Sequence, residues 1–168
     1  GEIAAAAATQ HLISKYGVNL IVNFGVVGGL TPEMSKAKTC IVERVVHYQF
    51  DISEIDPVKV GQHSGYDDIY IYPDAELFKK AVALDPELKA VTCASGDRFV
   101  GKAEDKIKLH EDFDADICEM EAAAVALTCD RSGIPCLILK TVSDGITGGA
   151  EEFIAEVDRS ADICPEIT

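Results

Sequence analysis

These 168 residues contain no unbroken apolar run near the about 18 that a membrane-spanning helix requires, so a membrane is not an expected partner. No basic segment precedes the first apolar run, so a secretory signal is not expected. Positive charge is scarce: 15 lysines and arginines stand against 29 aspartates and glutamates, for a net charge of −14. Such a chain is repelled by phosphate backbones and anionic lipid, so nucleic acid is also not an expected partner. The six cysteines form no C-x-x-C pair, and with the four histidines they form no cluster of zinc spacing. The expectation is no metal and no cofactor, with Cys40, Cys93, Cys118, Cys129, Cys136 and Cys164 as reduced thiols of a cytoplasmic protein.

What the chain does have is enough length and apolar content, 48% of residues, for one real core. Helical pattern runs over Ala4–Lys15, closed by Gly17, then over Ala75–Leu84 behind Asp74 as N-cap. Further helices are expected at Ala103–His110, Ala122–Arg131 and Glu151–Ala161. Strand pattern covers Val18–Phe24, Thr39–Tyr48, Lys89–Ala94, Ala115–Glu119 and Ile134–Val142. Between Phe50 and Pro73 the pattern dissolves into a polar loop or lid. Strands alternating with helices predict an α/β fold, a mixed central sheet flanked by helices, in one domain over 1–168.

Candidate chemistry sits where strands end. Asp116-Ile117-Cys118-Glu119-Met120-Glu121 delivers two carboxylates and then passes into an alanine-rich helix, alanine being the best helix former. Ala94-Ser95-Gly96-Asp97-Arg98-Phe99-Val100 ends a second strand in a tight turn with an aromatic. Thr141-Val142-Ser143-Asp144-Gly145 ends a third. In open α/β sheets the carboxyl ends of strands are where ligands bind. Gly25-Val26-Val27-Gly28-Gly29-Leu30 follows a strand but lacks the Lys-Ser/Thr of a phosphate loop and the G-x-G-x-x-G of a dinucleotide loop. It reads as a turn at which backbone comes close to a ligand or a neighbouring strand.

Together these segments resemble the nucleoside phosphorylase superfamily, and most nearly its 5′-methylthioadenosine/S-adenosylhomocysteine nucleosidases. The resemblance rests on Asn23–Leu30, Ala94–Val100, Glu119–Ala124 and Val142–Asp144, and it spans nearly the whole chain. It implies a small-molecule purine nucleoside as partner, and a homodimer or larger homo-oligomer. It further implies that Glu121 accepts the ribose hydroxyls, with Met120 beneath the sugar, and that Glu119, Gly28 and Ser143 bind the substrate. Phe99 would stack on the purine, the Val100 backbone would read the purine edge, and Ser143 would precede the general acid Asp144. Protonating a purine makes it a better leaving group, which gives that acid its purpose. Each residue also has a plainer reading: Asp144 as a turn cap, Glu119 as a solvated strand-end charge, Phe99 as core and Arg98 as surface.

The sequence departs from the family pattern in three places. Gly1–Ala5 resembles the family's first long helix, so the strands before it and the glutamate that activates water there are expected to be missing, leaving an edge or an apolar face open. Val26 stands where a serine or threonine is common, and Lys140 where arginine is. The resemblance implies hydrolysis of an N-glycosidic bond. The alternatives are phosphorolysis, or a nucleoside-binding chain without catalysis.

Overall fold

A computed structural model describes residues 1–34 and 38–163. In chain order these form α1 (Glu2–Tyr16), β1 (Ile21–Gly29), β2 (Thr39–His47), β3 (Tyr70–Ile71), α2 (Ala75–Leu84), β4 (Lys89–Ser95), α3 (Ala103–Phe113), β5 (Ile117–Glu119), α4 (Ala122–Ser132), β6 (Cys136–Asp144) and α5 (Gly149–Ile163). Five cysteines are buried, and Cys164 lies outside the described residues. No described helix is long and apolar enough to cross a membrane.

The strand order is β3-β2-β4-β5-β1-β6, and β6 also pairs with β2, so the sheet curls until it meets itself. Closure satisfies backbone groups that an open edge would leave bare. Apart from β3, which pairs antiparallel with β2, two parallel sets make up the sheet. β2, β4 and β5 run together, β1 and β6 run together, and β5 meets β1 antiparallel through only Gly28↔Cys118 and Gly29↔Ile117. The carboxyl ends of β1 and β5 therefore overlap at one seam. Beside it, β1 follows β6 from Ile21↔Cys136 to Val27↔Val142, then slips so that Gly28 faces Asp144.

The glycine segment corrects the sequence reading: it is not a turn but the second half of β1. The close approach is real, and it is to neighbouring strands and side chains. A β-carbon on Gly28 would stand 3.2 Å from Cys118 Sγ and 3.3 Å from both Asp144 Oδ2 and Lys106 Nζ. The polar stretch 50–73 carries the short β3 and is tied down by stacked rings, with Phe50 and His63 4.1 Å apart.

The core below the seam is built from Val27, Val42, Val45, Val91, Ile117, Ile138 and Val142, closed by Ala122, Ala123 and Ala126 of α4. Small alanines let that helix lie close to the strands. An apolar face does stay open along β1, where Leu20, Val22 and Phe24 are exposed by 41%, 40% and 52%.

Candidate active site

α4 begins with amides that have no partner inside the helix, a problem every helix start must solve. Glu121 occupies the cap position but makes no capping bond. Neighbouring side chains do the work. Glu121 N and Ala122 N donate to Glu119, Ala123 N donates to Ser95 Oγ, and Ala124 N donates to Glu2 Oε2, at 2.6–3.0 Å. Ser95 in turn donates its hydroxyl to Glu2 Oε1 at 2.5 Å. Two carboxylates at a helix N-terminus also meet the positive end of its dipole.

Glu119 is thus committed to structure. Its side chain is 3% exposed, and Lys140 Nζ, equally buried, donates to it at 3.1 Å. Burial pushes the Glu119 carboxyl up, but the Lys140 charge and the bond from Ala122 outweigh it and hold the group below its ordinary value. Burial likewise disfavours the Lys140 cation, and the Glu119 charge overcomes this, so its ammonium stays protonated above the usual lysine range. A solvated strand-end charge, the plainer reading of Glu119, is therefore wrong. Glu121 is left out of the cap, its side chain 42% exposed at the mouth of the seam.

A cavity of about 190 Å³ opens there, lined by Val26, Val27, Gly28, Arg98, Phe99, Val100, Cys118, Glu119, Met120, Glu121, Asp144 and Phe153. The fold thus gathers Gly28, Phe99, Val100, Glu119, Met120, Glu121 and Asp144 around one space. Ser143 stands behind the wall instead, its hydroxyl 3.2 Å from Val27 O and 2.9 Å from Asp144 Oδ1. Phe99 is 44% exposed, so it is not core. Its ring meets Phe153 of α5 edge to face at 5.3 Å. Arg98 reaches the rim, mostly exposed and paired with Asp105. Burial pushes the Cys118 thiol up to about 12, so it lines the wall as a neutral group. No residue of 50–73 lines the cavity.

Sequence reasoning missed two residues. Phe153 lies in the helix expected at Glu151–Ala161, and nothing marks which of its apolar residues turns to the seam. Lys106 is the greater omission. It is completely buried and donates to Asp144 Oδ2 at 2.5 Å and to Gly145 O at 2.7 Å. A signal existed: Lys106 shares the stripe of α3 that carries buried Leu109 and half-buried Phe113, where an apolar residue belongs.

Fold and site together define an α/β protein with a carboxylate-bearing crevice where the carboxyl ends of its strands converge. The chain belongs to the phosphorylase superfamily, whose family model matches residues 1–167. It is 32% identical over 171 residues to an aminodeoxyfutalosine nucleosidase of Campylobacter jejuni, covering 97% of this chain and 72% of that protein. It is 33% identical over 150 residues to a 5′-methylthioadenosine/S-adenosylhomocysteine nucleosidase of Shewanella halifaxensis, covering 86% of this chain but only 64% of that relative's length. A crystal structure of the Helicobacter pylori 5′-methylthioadenosine/S-adenosylhomocysteine nucleosidase, complexed with an aminopyrrolopyrimidine–pyrrolidinol, superposes with a TM-score of 0.93. It shares 28% identity, with 99% of this chain and 73% of that one covered.

Proposed function

We propose that the crevice binds a purine nucleoside with a 5′-thio or related substituent, and that it serves hydrolysis of the N-glycosidic bond. The observation that carries this reading is the convergence of Phe99, Glu121 and Asp144 on one cavity. An exposed aromatic pair, Phe99 and Phe153, offers a face and an edge to a flat base. Glu121, spared from capping by Glu119, offers a carboxylate to two adjacent hydroxyls. Asp144, buried in the wall of the same cavity, is the acid proposed to deliver a proton to the base. Departure of the base leaves an electron-poor sugar and an electron-rich purine. A carboxylate by the sugar and an acid by the base address one charge each. The nucleosidase names of the relatives agree with this chemistry.

Water is favoured over phosphate as the nucleophile because a phosphate dianion needs free cations. Arg98 is the cationic side chain among the described cavity-lining residues, and Asp105 already holds it. Lys106 and Lys140 behind the wall are likewise held by Asp144 and Glu119. Incubation with methylthioadenosine, with and without phosphate, should release adenine and free sugar and no sugar 1-phosphate. Formation of the 1-phosphate overturns the choice of nucleophile, and failure to bind adenine or methylthioadenosine at millimolar concentration overturns the site. We further propose a cytoplasmic homo-oligomer, on the strength of the buried thiols of Cys93 and Cys118 and the open apolar face of β1. A clean monomer in sedimentation at micromolar concentration would remove that part.

A further inference from the structure

We propose that Lys106 and Asp144 act as one acid, with Lys106 as the positioning and proton-holding partner of the residue that meets the base. This rests on the nucleosidase reading of the crevice. The arrangement is over-determined for a lysine that merely happens to be buried. Its ammonium has two fixed acceptors, Asp144 Oδ2 and Gly145 O, the second belonging to the backbone just past the acid. Ser143 holds the other oxygen, Oδ1, from the opposite side. The carboxyl group therefore cannot rotate freely. Oδ2 is also the oxygen beside Gly28, a wall residue of the cavity, at 3.3 Å from where a β-carbon there would stand. Glycine at 28 leaves the space in which the pair sits. The lysine rides on α3, which starts three residues after the Val100 wall of the same cavity, so the segment that flanks the base also carries the clamp on the acid.

A buried ion pair with the carboxylate alone facing the ligand holds one transferable proton in two arrangements: ammonium with carboxylate, or amine with carboxylic acid. Both carry the same net charge, so moving the proton from Nζ to Oδ2 costs far less than creating an isolated buried charge. As the C1′–N9 bond breaks, its electron pair leaves with the purine. The proton passes from Nζ to Oδ2 and from Oδ2 to purine N7. Water adds its hydroxyl to C1′, and its remaining proton restores the pair. Atoms and charge balance over the cycle with no further reactant.

The test uses two substrates of the full chain: methylthioadenosine, whose base needs a proton, and a p-nitrophenyl riboside, whose leaving group does not. Lys106→Met should lower kcat on methylthioadenosine by about 10²–10⁴, the usual worth of general acid catalysis, with KM little changed and the nitrophenyl substrate spared. Lys106→Arg should not restore the loss, because a guanidinium keeps its proton. Equal losses on both substrates, or unchanged kcat on methylthioadenosine, overturn the proposal.

A second readout needs no turnover. The infrared difference spectrum between the parent and Asp144→Asn should show residue 144 as a carboxylate. The same difference taken in a Lys106→Met background should show a carboxylate whose stretching bands have moved with the loss of the ammonium. A carboxylic acid there could protonate the base without Lys106 and would overturn the proton-holding role, and unmoved bands would overturn the pair. A parent chain inert on both substrates counts against the proposed function, and the spectra still decide the pair.

Discussion

Two buried lysine–carboxylate pairs stand within one seam of this protein, and they are used in opposite ways. Glu119 has every oxygen engaged: Lys140 on one side, the amides of Glu121 and Ala122 on the other, and the Cys93 thiol at 3.7 Å. Asp144 is held from behind by Lys106 and Ser143, and its forward side is the cavity wall. The first pair finishes a helix; the second leaves one valence for a visitor. The same chemistry therefore reads as scaffold or as site according to what the carboxylate still lacks. Burial and pairing alone do not distinguish the two.

The sharpest way to break this comparison is to neutralise each acid in turn. Asp144→Asn should lower kcat for nucleoside hydrolysis by about 10²–10⁴ while leaving thermal unfolding close to that of the parent, because the amide keeps the shape and loses the deliverable proton. Steady-state kinetics beside calorimetry would decide it. An unchanged kcat would mean that the proton comes from elsewhere.

Lys140→Met should act on the other axis. Stranding Glu119 without its cation is expected to cost about 3–5 kcal/mol of stability in urea titrations. The pH dependence follows from the sign of the shift. Glu119 is held below its ordinary value when folded, so its contribution is in place above that value and is lost as pH falls through the lower folded one. Glu2 runs the other way: burial raises its carboxyl value despite the bonds from Ser95 and Ala124, so its protonation favours the folded chain. Lys140→Met should therefore flatten the acid side of the stability curve.

Glu121→Ala is expected to weaken binding of methylthioadenosine by about 1.5–3 kcal/mol, the worth of hydrogen bonds to a charged group, and to spare free adenine. Calorimetry with the two ligands separates them, and equal losses would place Glu121 at the base instead of the sugar. The smallest effect belongs far from the seam. Asp74 Oδ1 accepts from Glu76 N and Leu77 N at 3.1 and 2.8 Å, so Asp74→Ala should cost about 1 kcal/mol and leave kinetics untouched.

Much of this was legible in the chain. Alternating elements gave the layers, alanines gave a helix that can lie close to the strands, and two carboxylates at a strand end marked the seam. The glycine segment misled because glycine usually punctuates, whereas here it makes room: a side chain at Gly28 would press on Cys118, Asp144 and Lys106. Glu119 and Glu121 look equivalent in sequence, and only the amides of α4 decide which one is consumed. Curling of the sheet through Thr39↔Thr141 and Ile41↔Leu139 left no local mark, because pairing across about 100 residues depends on neighbours that no short window contains.

The slip between Val27 and Gly28 carries a consequence for what this scaffold can tolerate. A strand is a ruler with two sides, and one extra residue changes which side the next mark falls on. Lys140 and Asp144 are read off the same ruler, four marks apart, and each must land on its own partner. Loops before and after β6 can lengthen or shrink without disturbing that count. Removing Ser143 alone would erase the slip, set Asp144 directly after Val142 and take away the hydroxyl that holds its Oδ1. The position of the acid is therefore kept by arithmetic along one strand, and diversification of the crevice is left to the segments that do not take part in the count.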